Sequence, residues 1–102
     1  MANWVKLTTT SAIADQQVKT FTANGQSIAL AFVGGQYFAI EDLCTHDGGP
    51  LGEGELIEYC VECPRHGARF DIRTGAAVTF PAVVPVKSFP VKVDGKDILV
   101  QL

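Results

Sequence analysis

Long apolar runs are missing from this 102-residue chain. No stretch approaches the roughly 18 residues that a membrane-crossing helix needs. The N-terminus, MANWVKLTTTSAIADQQ, holds no apolar leader core and no twin-arginine pair. The expectation is a cytoplasmic protein with no membrane anchor. Charge of either sign is modest, with 8 Lys and Arg against 11 Asp and Glu and a net charge of −3. A nucleic-acid partner demands a basic footprint, so none is expected. Helical periodicity is nearly absent, and only Ser11 to Gln17 has room for about one helical turn. Histidine occurs twice and cysteine three times. In a reducing compartment so few cysteines point to metal ligands or inert thiols rather than a disulfide framework. A chain of this size makes one domain with a limited core, which a metal centre would help to stabilise.

What is present reads as β-structure. Trp4 to Thr8 alternates apolar and polar residues, Val18 to Phe21 does so briefly, and Ser27 to Val33 is a continuous apolar run of strand length. Gly34-Gly35 joins that run to Gln36–Ile40 as a hairpin. Leu56 to Glu62 reads as one strand, and Arg69 to Val78 as a hairpin around Thr74-Gly75. Val86 to Val93 and Ile98 to Leu102 pair around Asp94-Gly95. Between them, residues 42 to 55 carry Gly48, Gly49, Pro50, Gly52 and Gly54 and few β-formers. Unstructured excursions of that length in a compact domain are often functional.

Both histidines and two of the three cysteines fall into two short boxes, Cys44-Thr45-His46 and Cys63-Pro64-Arg65-His66. A single buried thiol or core histidine would be the ordinary reading of either residue alone. Two such pairs in Gly- and Pro-flanked loops argue for a metal. Zinc is the first competitor, since Cys and neutral His both bind it. Zinc fingers, however, usually place two cysteines on one arm and two histidines on the other. Here each arm supplies one of each, and one intervening residue is tight for gripping a single ion from both sides. Two neighbouring irons resolve this: Cys44 and Cys63 take one, His46 and His66 the other. Two cysteines on one iron of a 2Fe–2S cluster and two histidines on its partner is the Rieske arrangement.

The sequence resembles the Rieske family on these residues. The resemblance rests on CTHDGGPLGEG, on CPRHGARFDIRTG and on Pro81-Ala82-Val83-Val84-Pro85. It implies an all-β fold, an antiparallel β-sandwich base with a loop-rich cluster-binding lobe at about residues 42 to 82, in a single domain spanning 1–102. It also implies histidine ligation through Nδ1, with Nε2 facing solvent where electrons leave, and a proline loop over the cluster. Respiratory-chain members carry an extra cysteine in each box, joined as a disulfide; Gly49 and Arg65 stand at those positions. They also donate hydroxyl hydrogen bonds from a Ser and a Tyr where this chain has Ala68 and Phe70. The chain therefore looks like the soluble Rieske ferredoxins that feed oxygenases, without histidines to spare for a catalytic iron. The implied function is one-electron transfer, not catalysis, from a flavoprotein NAD(P)H reductase to a terminal oxygenase, by a monomer with one 2Fe–2S cluster. Rival readings are the small Rieske subunit of a nitrite-reductase-type complex and a zinc-stabilised interaction module.

Several residues carry smaller expectations. Cys60, alternating with Glu58 and Glu62, reads as a half-exposed inert thiol whose acidic neighbours raise its pKa. Gly48, Gly49 and Gly67 read as positions of close backbone approach or positive φ. Asp47, Glu53, Glu55, Arg65, Arg69 and Arg73 read as solvated surface or, more boldly, as a partner footprint. Trp4, Phe32, Phe38 and Phe89 are expected in the core.

Overall fold

A computed structural model describes residues 4–42, 51–63, 67–79 and 85–102. Among them run eleven strands: β1 (Trp4–Thr9), β2 (Gln17–Ala23), β3 (Gln26–Val33), β4 (Gln36–Glu41), β5 (Glu55–Ile57), β6 (Cys60–Glu62), β7 (Arg69–Asp71), β8 (Ala77–Thr79), β9 (Ser88–Phe89), β10 (Val91–Asp94) and β11 (Asp97–Gln101). They form three antiparallel sheets, ordered β1-β11-β10, β2-β3-β4-β9 and β5-β6-β7-β8. The helical turn expected within Ser11–Gln17 is a single 3-10 turn at Thr10–Ala12. No helix among the described residues is long and apolar enough to cross a membrane.

Turn chemistry explains the first hairpins. Val33 pairs with Gln36, and Gly34 and Gly35 between them take φ of 60° and 82°. A two-residue loop with both φ positive matches the right-handed twist of the strands it joins. Asn24 (φ 51°) and Gly25 (φ 74°) make the same turn between β2 and β3. At the last hairpin Asp94 pairs with Asp97, so the loop is Gly95-Lys96, one residue later than the Asp94-Gly95 expected.

β3 is apolar from Ile28 to Val33 because both of its faces are covered there. Ile28 and Leu30 join Leu7, Ile98 and Val100 in one core, against the β1-β11-β10 sheet. Ala29, Ala31 and Val33 point the other way, into a core with Val61, Cys63, Ala68, Phe70 and Ile72 of the β5–β8 lobe. β4 divides likewise, with Ala39 in the first core and Ile40 in the second. The period of two sorts these residues between a basal sandwich and the lobe.

Three further expectations are corrected. Leu56–Glu62 is not one strand but β5 and β6, paired through Ile57 and Cys60 around Glu58-Tyr59. Glu58 takes φ of 56°, a left-handed conformation that costs a residue with a Cβ about 1 kcal/mol or more. Tyr59 offsets this by stacking edge-on to Phe38 at 6.1 Å and lying 4.4 Å beneath the Arg73 guanidinium. Val86–Val93 is likewise not continuous: Pro90, which has no N–H for a ladder, separates β9 from β10 and moves the chain between sheets. Trp4 is not core. It is 38% exposed and lies under the Lys92 ammonium, 4.4 Å from its ring centroid. Phe89 is buried, and Phe32 and Phe38 are half-buried against the two cores.

Candidate metal centre

The lobe leaves and rejoins the base at adjacent points. Glu41, at the end of β4, donates its N–H to the Lys87 carbonyl (2.8 Å) and accepts the Lys87 N–H on Oε1 (2.7 Å). Beside them Ile40 pairs with Ser88 and Ala39 with Phe89. The whole segment between β4 and β9 is thus a loop closed at its neck, with β5–β8 inside it.

Of the four proposed ligands, Cys63 lies within the described residues; Cys44, His46 and His66 lie outside them. So do Asp47, Gly48, Gly49, Arg65 and residues 81–84 of the proline loop. Cys63 follows β6 directly and has no exposed surface. Its N–H donates to the Ala68 carbonyl at 2.7 Å, and its carbonyl accepts the Gly67 N–H at 3.1 Å. These two bonds close a tight loop whose last residue, Gly67, takes φ of 74°, as expected of a glycine there.

Leu51, Val61, Ala68 and Phe70 share the core of Cys63 and are likewise fully buried. Neither Ala68 nor Phe70 offers a side-chain donor there. Among the described residues the setting of Cys63 is therefore apolar, with the backbone amides of the turn as the polar groups. Sulfur ligation fits it, because a soft, poorly hydrated thiolate-to-iron bond needs no water and is tuned by burial and by N–H groups. Among the described residues no three His, Cys, Asp or Glu side chains converge on a point. A metal held through Cys63 would need ligands from outside the described residues.

The charged groups around the turn are engaged within the lobe. Arg69 Nε donates to Glu62 Oε2 at 2.9 Å across the β6–β7 pair. Arg73 grips Asp71 with Nε at 3.1 Å and Nη2 at 3.0 Å, and Asp71 Oδ1 also accepts the Arg73 N–H. The Arg73 hydrogen bond holds the Asp71 carboxyl below its usual range. Cys60 sits opposite Asp71. Burial first, and then Asp71, push its thiol upward, whereas Glu58, in the turn, matters least. The direction is the expected one, but the leading cause is not the acidic alternation. No disulfide involves Cys60 among the described residues.

A family model, the Rieske [2Fe-2S] domain, matches residues 3–90. The chain belongs to this family. Its cofactor is one 2Fe–2S cluster. Over 97 residues the Rieske chain is 39% identical to the ferredoxin component of biphenyl 2,3-dioxygenase from Rhodococcus jostii RHA1, covering 95% of this chain and 91% of that one. Its fold matches the ferredoxin of carbazole 1,9a-dioxygenase from Nocardioides aromaticivorans IC177 with a TM-score of 0.91 at 34% identity, over 96% of both chains. It also matches, with a TM-score of 0.88 at 34% identity over 95% of this chain and 91% of that one, a chain from a complex of reduced oxygenase and oxidised ferredoxin in carbazole 1,9a-dioxygenase.

Two lobe-fixing residues carry no mark in the sequence. Tyr59 looks like a strand residue, and Asp42 like loop surface, yet each bridges base and lobe.

Proposed function

We propose that this chain carries single electrons from a flavoprotein NAD(P)H reductase to a terminal oxygenase, with Cys44 and Cys63 on one iron and His46 and His66 on the other. It does so as one domain over residues 1–102, the lobe at about 42–82 carrying the ligands. The observation that supports this most is the match, over nine-tenths or more of both chains, to ferredoxin components of dioxygenase systems.

When bound, the cluster supplies one reversible electron at a potential set by its ligands and surroundings. The chain's own contribution is stiffness. Cys63 is anchored by two backbone hydrogen bonds in a fully buried setting. Its core is shared with β3 and β4 of the base, so its place relative to the base is fixed. Little has to move when charge arrives. His46 and His66 would provide the short exit to the partner.

The test combines metal analysis with reconstitution. Purified protein should hold two irons and two acid-labile sulfides, and Cys63→Ser or Cys44→Ser should assemble no stable cluster. Mixed with a reductase and an oxygenase, it should make oxygenation depend on its presence. One zinc and no sulfide, or oxygenase reduction at equal rate without it, would refute the proposal.

A further inference from the structure

The strongest unassigned feature lies where the first ligand box leaves β4 and returns. Asp42 extends the β3–β4 ladder, its N–H reaching the Ser27 carbonyl at 3.3 Å. Its two carboxylate oxygens then diverge. Oδ1 accepts the Gly52 N–H at 2.6 Å, and Oδ2 accepts the Thr20 hydroxyl at 2.9 Å. One side chain thus joins the take-off of the 43–50 segment, its landing, and strand β2 beneath. The landing is tightly seated. A Cβ on Gly52 would meet the backbone N and Cα of Thr20 at 2.8 and 3.0 Å and would overlap its hydroxyl. Leu51 is fully buried, and its carbonyl accepts the Gly54 N–H at 2.9 Å.

Hydrogen bonds to a carboxylate are about twice as strong as neutral ones. Tying both ends of a loop together also removes the conformations in which they part. Cys44 and His46 lie two and four residues beyond Asp42, inside the loop so closed.

We propose that Asp42 is a positioning residue for the cluster, fixing the first ligand box through Gly52 and Thr20. This rests on the ligand set proposed above.

The experiment compares holoprotein of Asp42→Ala, Asp42→Asn and Thr20→Val with the unaltered chain. The readouts are bleaching of the visible absorption by excess iron chelator and the electron paramagnetic resonance spectrum of the reduced protein. Asp42→Ala should lose its cluster on the order of tenfold faster, from the loss of charge-assisted hydrogen bonds, with a broadened spectrum. Asp42→Asn should speed cluster loss by a clearly smaller factor than Asp42→Ala, since the amide oxygen still accepts from Gly52 and its NH2 can donate to the Thr20 oxygen, though without charge assistance. Thr20→Val should fall between. If Asp42→Ala assembles no cluster, Thr20→Val decides alone, and its behaving like the unaltered chain overturns the proposal. So does Asp42→Ala with unchanged release and spectrum, or Asp42→Asn as impaired as Asp42→Ala, which would make charge and not held geometry the cause. A Cys44→Ser control that keeps its cluster would show instead that the ligand set is wrong.

Discussion

Replacing Phe70 by Tyr asks whether missing hydroxyl donors set the potential of the centre. Phe70 is fully buried, pairs with Val61 across β6–β7, and shares its core with Cys63. A hydroxyl added there cannot reach water without opening the lobe. It must therefore find an acceptor or cost about 1–3 kcal/mol as an unsatisfied buried group. The acceptors that gain most are cluster sulfurs, whose electron density rises on reduction. A bond favouring the reduced state by about 1.4 kcal/mol raises a one-electron potential by about 59 mV. Without such donors the potential should lie near the low end of the Rieske range, roughly −150 mV. Phe70→Tyr should then move it upward by several tens of millivolts, and Ala68→Ser, on the residue whose carbonyl accepts from Cys63, in the same direction. Voltammetry at neutral pH with parallel urea unfolding separates the outcomes. An unmoved potential in both variants, with intact cluster, refutes the reasoning whether or not stability falls. A starting potential above about +100 mV, well up the Rieske range, would overturn the oxygenase-donor reading as well.

Gly54→Ala should destabilise the lobe by about 1–3 kcal/mol, because the new Cβ would overlap the Glu62 backbone carbonyl, one residue before Cys63, and meet the Leu51 carbonyl oxygen at 3.1 Å; an unchanged urea midpoint would show that β6 yields freely. Arg73→Gln should lower stability more at neutral pH than at strongly acid pH, where only the loss of the guanidinium over Tyr59 remains. The Asp71 carboxyl is held below its usual range by Arg73, so its contribution is present above the unfolded value near 4 and is lost as pH falls through the lowered folded value; urea midpoints that differ equally at pH 7 and in strong acid would contradict this.

The sequence made the ligand boxes and the basal hairpins readable for different reasons. Gly34-Gly35 declares its turn because two positive φ values leave few other residues eligible. β3 declares itself because burial on both faces removes every polar residue from Ile28 to Val33. The boxes stand out because histidine is so rare in this chain. The turn at Glu58-Tyr59 was hidden for the opposite reason: its strained residue is a glutamate, and what holds it, the Tyr59 stack on Phe38 and Arg73, is tertiary. Trp4 misled because a large aromatic at the start of an alternating strand has two faces to choose from. Its register opposite Gln101 puts it outward, under Lys92. Pro90 marks the break between β9 and β10, since a proline cannot supply a ladder N–H within an apolar run.

The small side chains of β3 link these observations to function. Ala29 and Ala31 on the lobe-facing side let the β5–β8 sheet approach the base closely, with Val33 and Ile40 filling the margins. Among the described residues the lobe therefore has no core apart from the base; Val61, Cys63, Ala68 and Phe70 are buried by the base as well as by one another. Loosening either layer would loosen Cys63. Ties at Glu41–Lys87 and at Asp42–Gly52 then fix the neck and the first loop by side chains and not by longer strands. That division suits an electron carrier. The β-layers set where Cys63 stands, and its burial between them keeps it there whichever way charge moves.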